Sequence, residues 1–254
     1  MRLTLTTWNI NSVRLRIDLV AKLLQSVQPD VLCLQETKTE DANFPLLELQ
    51  QAGYQVVFCG QKTYNGVAII SKFAMSDVQY GLPNFEDVQK RMIAATVNGV
   101  RIVCVYIPNG ESVDSDKYQY KLAWLAALQS WLKDEMPRYP KLALLGDYNI
   151  APEDRDVHDP VAWAGKVLCS EPERAAFMGM QQLGLRDAFR LFEQPEKLFS
   201  WWDYRMMGFR RNHGLRIDHI LLSAAVECSA CSIDKAPRKL ERPSDHTPVW
   251  VEIS

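Results

Sequence analysis

Residues 92–107 read MIAATVNGVRIVCVYI, two runs of β-branched and apolar residues joined by Asn98-Gly99. Both turn residues tolerate positive φ, so the pair predicts a tight antiparallel hairpin. The rest of the chain alternates instead. Strands are expected over 2–8, 30–35, 54–60, 141–146, 216–223 and 249–253, with another over VAIIS after the Asn65-Gly66 turn. Helices are expected over 12–28, 44–52, 116–135 and 171–183. In the first, Val20, Leu23, Leu24 and Val27 share a face and Pro29 stops the helix. In the third, the apolar positions are Leu122, Leu125, Ala126, Leu128, Trp131 and Leu132. Alternation plus a hairpin argues against a purely parallel doubly wound sheet and for an α/β fold. Two mixed β-sheets packed face to face, with helices outside, satisfy both signals. A faint echo joins Trp8-Asn9-Ile10-Asn11 to Asp147-Tyr148-Asn149-Ile150, each after a strand.

With 254 residues, 47% of them apolar, the chain has ample material for a large core. No Gly/Ser, proline-rich or charge-block linker divides it, so a single domain over 1–254 is expected. The net charge of −2 gives no general affinity for polyanions, so any such contact needs a local cationic cluster. Cys33 and Cys104 lie within apolar runs, which points to reduced thiols in a reducing compartment. Cys228 and Cys231 form a lone C-x-x-C without a second pair. The N-terminus has no apolar leader and no run is long enough to span a bilayer, so a cytoplasmic protein with no membrane partner is expected.

Polar residues gather where strands end. Asn9 and Asn11 follow the first strand, Glu36 the second and Asp147 and Asn149 the strand over 141–146. Tyr106 ends the hairpin, Asp218 lies in RIDHILLS, and Asp245 and His246 precede the last strand. In extended chain, a spacing of two puts Asn9 with Asn11, and Asp147 with Asn149, on one face. Singly, each reads as a turn or cap residue. Together they read as one crevice at the sheet ends. Crowded carboxylates repel, and a hard divalent cation relieves that. Mg²⁺ accepts one or two carboxylates and keeps its waters. Glu36 is the first candidate ligand and Asp245 a second, with Asn9, Asp147 and Asn149 beside them. Asp147 is left as base or orienter for an attacking water. Asn9 and Asn149 can bond Asp147 and a phosphate oxygen. Asp218 can hold His246 as an imidazolium facing a phosphoryl oxygen. No H-E-x-x-H or Cys/His spacing favours zinc. The inventory fits phosphate-ester hydrolysis.

In order, WNIN, LQETK, YIPNGES, GDYNIAPEDRDV, FSWWDYR, GLRIDHILLS and SDHTPV span nearly the whole chain. This set resembles the exonuclease III (AP endonuclease) family of the endonuclease/exonuclease/phosphatase superfamily, to which DNase I belongs. The resemblance implies a four-layer α/β sandwich and a Mg²⁺- or Mn²⁺-dependent phosphodiesterase of base excision repair. Its partner is double-stranded DNA with abasic sites or blocked 3′ ends, cut 5′ to the lesion, trimmed, or degraded 3′ to 5′. A monomer acting on the bacterial nucleoid is expected. The resemblance makes Glu36 the metal ligand, Asp245 a metal-linked carboxylate and Tyr106 a phosphate-contacting phenol. It makes Asp147 and Asn149 the water activator and its neighbour, with Asn9 supporting Asp147 and Asp218 partnering His246. Trp201, Leu215 and Ile217 match positions lining a pocket for an extruded sugar. At least one of Trp201 and Trp202 is expected in the core.

The loop over 203–216 interleaves Arg205, Arg210, Arg211 and Arg216 with Met206, Met207 and Phe209, suiting phosphate contact and insertion into a duplex. Lys90 and Arg91 are expected to add to this cluster. Two other readings stay open: a binding-only regulator on the same fold, whose mark is loss of the metal or water-activating residues, and a phosphodiesterase for lipid or sugar phosphates.

Overall fold

The computed structural model describes residues 2–254. The chain opens with β1 (Leu3–Asn9), α1 (Val13–Ser26), β2 (Val31–Gln35), α2 (Leu46–Gln51), β3 (Gln55–Cys59), β4 (Val67–Ser71) and β5 (Met75–Tyr80). The hairpin β6 (Met92–Val97) and β7 (Val100–Tyr106) leads into the long α3 (Asp116–Arg138) and β8 (Leu142–Asp147). There follow α4 (Pro160–Trp163), α5 (Glu171–Gln182), β9 (Leu185–Asp187), β10 (Trp201–Trp202) and α6 (Gly208–Arg211). The chain ends with β11 (Gly214–Leu215), β12 (Asp218–Ser223), β13 (Cys228–Ile233) and β14 (Val249–Ile253).

Two six-stranded sheets form, ordered β3-β4-β2-β1-β14-β13 and β5-β6-β7-β8-β12-β9. Read in that direction, both run antiparallel, antiparallel, parallel, antiparallel, antiparallel. The echo seen in the sequence falls on equivalent central strands, β1 and β8. The expected hairpin is present: Val97 pairs with Val100, and Asn98 and Gly99 have φ of 48° and 80°.

Apolar residues of both sheets interlock in one inner core, where Leu5, Cys33 and Val251 lie among Ile93, Ile102, Cys104 and Leu145. A second core sits between the β5–β9 sheet and α3 and α5, with Leu144, Trp124, Leu128 and Phe177. A third lies between the other sheet and α1 and α2, with Leu24, Leu32, Leu49 and Ile70. Four layers result, as expected. The strand β8 is buried on both faces because Ala143 and Leu145 enter the inner core while Leu142 and Leu144 enter the outer one. Each such aliphatic side chain contributes about 1.5–3 kcal/mol by leaving water. Gly146 is required where β8 meets β7: a Cβ there would stand 1.9 Å from the Val105 carbonyl oxygen.

Several local expectations need correction. Val27 is 49% exposed, because α1 ends at Ser26 and Val27 stands past its last turn. Ala126 is exposed; Tyr118, Lys121, Trp124 and Glu135 take buried positions on α3 instead. That helix runs on to Arg138, with Pro137 inside its last turn. The edge strands β5 and β13 were not expected. Their sequences, MSDVQY and CSACSI, are polar or small, and each pairing carries a register shift. Such features suit edges and hide the apolar alternation by which strands are read. All six cysteines are free and all but Cys228 are buried. Among the described residues, no helix is long and apolar enough to cross a membrane.

Candidate active site

The parallel pairs β1/β2 and β7/β8 end at the same edge of the sandwich. Asn9 pairs with Gln35, so Glu36 is the next residue out. Tyr106 and Asp218 both pair with Asp147, which places three polar side chains on one rung across β7, β8 and β12. Beyond β1 and β8 the chain turns in the same way twice. Asn9 Oδ1 accepts the Asn11 N–H at 3.0 Å, and Asp147 Oδ1 accepts the Asn149 N–H at 2.9 Å. Asn11 and Asn149 have φ of 47° and 50°. The turn, and not an extended spacing of two, therefore places these second residues. The cap role and the site role coexist in one side chain.

Asn9 joins two acids. Its Nδ2 donates to Glu36 Oε1 at 2.8 Å and to Asp147 Oδ2 at 2.9 Å. Asn149 Nδ2 donates to the Ile107 carbonyl at 2.9 Å and leans on Asp147 Oδ2 at 3.4 Å. His246 Nδ1 lies 2.9 Å from Asp218 Oδ2, and its Nε2 lies 3.7 Å from Asp147 Oδ2. Asp245 accepts from Asn11 Nδ2 at 2.9 Å and Trp201 Nε1 at 3.0 Å. The Arg91 guanidinium stands 4.8 Å above the Tyr106 ring.

Three participants escaped the sequence reading. Lys38 Nζ lies 2.7 Å from both Glu36 Oε2 and Asn11 Oδ1. Ser200 Oγ donates to Asp218 Oδ2 at 2.7 Å and accepts the Ile217 and Asp218 N–H groups. Asn109 Nδ2 donates to Asn149 Oδ1 at 3.1 Å. Each lies within a motif quoted above, which was the available signal.

Burial raises the Asp147 pKa to about 7; Asp218 adds to this while His246 opposes it. Burial works against charge on His246 as well, yet Asp218 and Asp147 outweigh it and hold its pKa at about 10. Burial, then Glu36 and Asp147, push the Tyr106 phenol up. At neutral pH the site thus holds an imidazolium, a neutral phenol and a carboxyl poised to titrate. Because the Asp147 value stands above the ordinary 3.8 of an aspartate, its share of stability is present below pH about 4 and lost as pH rises toward 7. In metal-free protein, the Tm of wild type is therefore expected to fall relative to Asp147→Asn between pH 4 and 7, measured by calorimetry. A constant difference across that range would contradict this environment.

Among the described residues, ligand atoms of Glu36, Asp147 and His246 all lie within 4.8 Å of one another. The charged His246 has no free lone pair, which leaves two carboxylates, a donor set that fits a hard divalent cation. The amide oxygens of Asn9 and Asn149 already accept hydrogen bonds, and both oxygens of Asp245 do too.

The expected DNA-facing residues divide. Trp201 is half-buried and Trp202 fully buried. Leu215 and Ile217 are 0% and 1% exposed, packed with Val157 and Leu168 behind Trp201, so they present no open pocket wall. Arg205, Arg210, Arg211, Met206 and Met207 are exposed. Phe209 instead packs edge-on against Trp202, at 5.0 Å. Arg216 does not belong to the cationic surface: it is buried against Asp156 and Asp187. Arg91 lines a cleft that includes Tyr106 and Asn109 of the site, together with Tyr64 and Lys117.

The sequence pattern of the Endonuclease/Exonuclease/phosphatase family matches residues 6–246. The chain belongs to this family. Among its members, exodeoxyribonuclease III of Haemophilus influenzae is 37% identical, over 97% of this chain and 98% of its own length. Among solved structures, the 3′ phosphatase NExo from Neisseria, bound to product DNA hairpin, superposes with a TM-score of 0.98 at 47% identity, covering 99% of each chain. An AP endonuclease from Archaeoglobus fulgidus superposes with a TM-score of 0.94 at 38% identity, covering 98% of each. The paired-sheet architecture described above is thus the family's.

Proposed function

We propose that this protein is a divalent-cation-dependent DNA-repair phosphodiesterase. It cuts DNA 5′ to abasic sites and clears blocking groups or nucleotides from 3′ ends. The observation that carries the reading is the Asn9 amide shared by Glu36 and Asp147, with His246 3.7 Å from Asp147. The relatives named exodeoxyribonuclease III, 3′ phosphatase and AP endonuclease support it.

Glu36 and Asp147 are the groups to hold Mg²⁺ or Mn²⁺, which supplies Lewis-acid polarisation of a phosphoryl oxygen. Asp147, fixed by Asn9 and Asn149, orients a water toward phosphorus and takes its proton. Attack forms the new P–O bond as the bond to the leaving 3′ oxygen breaks. His246, kept charged by Asp218, donates to a phosphoryl oxygen as charge develops there. Tyr106 stays a neutral donor to the phosphate. Trp201, tethered to Asp245, offers the apolar face for a baseless sugar. Arg205, Arg210 and Arg211 supply the local positive field. One chain acts on one duplex in the cytoplasm.

Cleavage of three duplexes tests this: one with an internal abasic site, one with a 3′-phosphate and one with an undamaged 3′ end, each with Mg²⁺ or EDTA. Mg²⁺-dependent cleavage of the abasic or 3′-phosphate duplex is expected. Binding without cleavage would replace the reading by a regulator, and turnover only of lipid or sugar phosphates would replace it by a small-molecule phosphodiesterase.

A further inference from the structure

Behind the catalytic turn lies a charged pair with no surface at all: Lys121 of α3 and Glu173 of α5 are both 0% exposed. An ammonium has three N–H donors. Lys121 uses them on the Glu173 carboxylate, the Asn149 carbonyl at 2.6 Å and the Asn109 carbonyl at 3.1 Å. Glu173 in turn accepts the Leu168 N–H at 2.9 Å, the Ser170 N–H at 3.1 Å and the Ser170 hydroxyl. One pair therefore clamps five segments: two helices, the turn after β8, the loop after β7 and the loop before α5. A buried ion pair adds little net stability, since well-packed apolar residues of the same volume often do as well. Its distinctive property is that it fixes directions. Both carbonyls it holds belong to residues whose side chains enter the site. Asn149 donates to Asp147 through its N–H, and Asn109 holds the Asn149 amide.

We infer that Lys121 and Glu173 are positioning residues for the catalytic carboxylate: by pinning the Asn149 and Asn109 carbonyls they hold the Asp147 turn in its working geometry. This rests on the phosphodiesterase reading. Neither side chain touches substrate. A misplacement of about 1 Å costs about 10²-fold in rate, so a loosened clamp is visible in turnover before it is visible in binding.

The test uses the full chain with two variants, Lys121→Met/Glu173→Gln, which removes both charges, and Glu173→Gln, which leaves the Lys121 ammonium without its carboxylate. In the double variant no charge remains to be paired, and the introduced amide oxygen can still accept one of the Leu168 and Ser170 N–H groups, which bond separate oxygens of Glu173. For the double variant, kcat is expected to fall about 50-fold with KM within about 3-fold, and the acid limb of the kcat pH profile to move. For Glu173→Gln, a fall in kcat of about 5-fold at unchanged KM is expected. Mn²⁺ affinity, titrated by calorimetry without DNA, reads the same displacement of Asp147 and is expected to weaken about 5-fold or more in both. Folded variants with wild-type kcat, pH profile and Mn²⁺ affinity would overturn the inference. If one of the two variants does not fold, the other decides by the same criteria. Wild-type protein that cleaves no DNA would sink the phosphodiesterase reading while the Mn²⁺ titration still judged the clamp.

Discussion

Asp147→Asn is expected to lower kcat by about 10³–10⁴-fold, the span a positioned general base supplies together with its electrostatic role. The reasons are local. Asp147 is 1% exposed and its oxygens accept from Asn9 and from the Asn149 N–H. The isosteric amide can still accept the Asn149 N–H, so the turn is retained. It cannot take a proton from water, and it turns an N–H₂ toward Asn9 or His246. The change also removes one of the three carboxylate charges that keep His246 an imidazolium. Duplex affinity in EDTA is expected to stay within about 3-fold, because phosphate contacts elsewhere dominate binding. Single-turnover cleavage and fluorescence anisotropy separate the two quantities. A turnover within about 10-fold of wild type would remove Asp147 from the mechanism, and lost affinity with retained turnover would make it a binding residue.

Much of this site was legible because chemistry and punctuation coincide at strand ends. The Asn-Gly turn announced one hairpin, and a run such as LALLGD announced a strand ending in a carboxylate. Polar side chains after such strands must either cap a turn or serve a ligand, and Asn9 and Asp147 do the first while placed for the second. What escaped follows from other physics. Lys121 and Glu173 sit at core positions of helices, where sequence gives a charged residue no reason to be buried until its partner is known. Ser200 and Lys38 act through partners far along the chain or through a turn at Glu36 with a φ of 51°. The motif points Leu215 and Ile217 to a pocket wall, but the β10/β11 pairing turns Leu215 inward, and both pack in the cluster behind Trp201. Exposure cannot be read from a motif when a two-residue strand pairing decides it.

Arg216 is the sharpest case, because its two readings predict opposite results. In the sequence it is one arginine among several in a cationic loop. In the fold it is 1% exposed, with Nε 2.7 Å from Asp156 Oδ1, one terminal nitrogen 2.8 Å from Asp187 Oδ2, and the other 3.0 Å from His219 Nδ1. His219 stays neutral: burial and then Arg216 lower its pKa to about 4, and its Nε2 meets the Ile150 carbonyl at 2.8 Å. Arg216→Met therefore leaves Asp187, and in part Asp156, as buried charges without their cation, a loss of about 3–5 kcal/mol at pH 7 in urea unfolding. The pH dependence has a definite sign. Burial works against the Asp156 charge, but Arg216 outweighs it and lowers its pKa, so wild type gains stability above pH about 4. In the variant the cation is gone, the Asp156 pKa rises, and protonation relieves the penalty. The gap between wild type and variant should then narrow as pH falls from 7 to 5. Arg210→Ala/Arg211→Ala should instead leave stability within about 0.5 kcal/mol and reduce the salt slope of DNA binding by about one phosphate each. A stable Arg216→Met protein with a flattened salt slope would return Arg216 to the DNA surface and dissolve the buried network as an element of the fold.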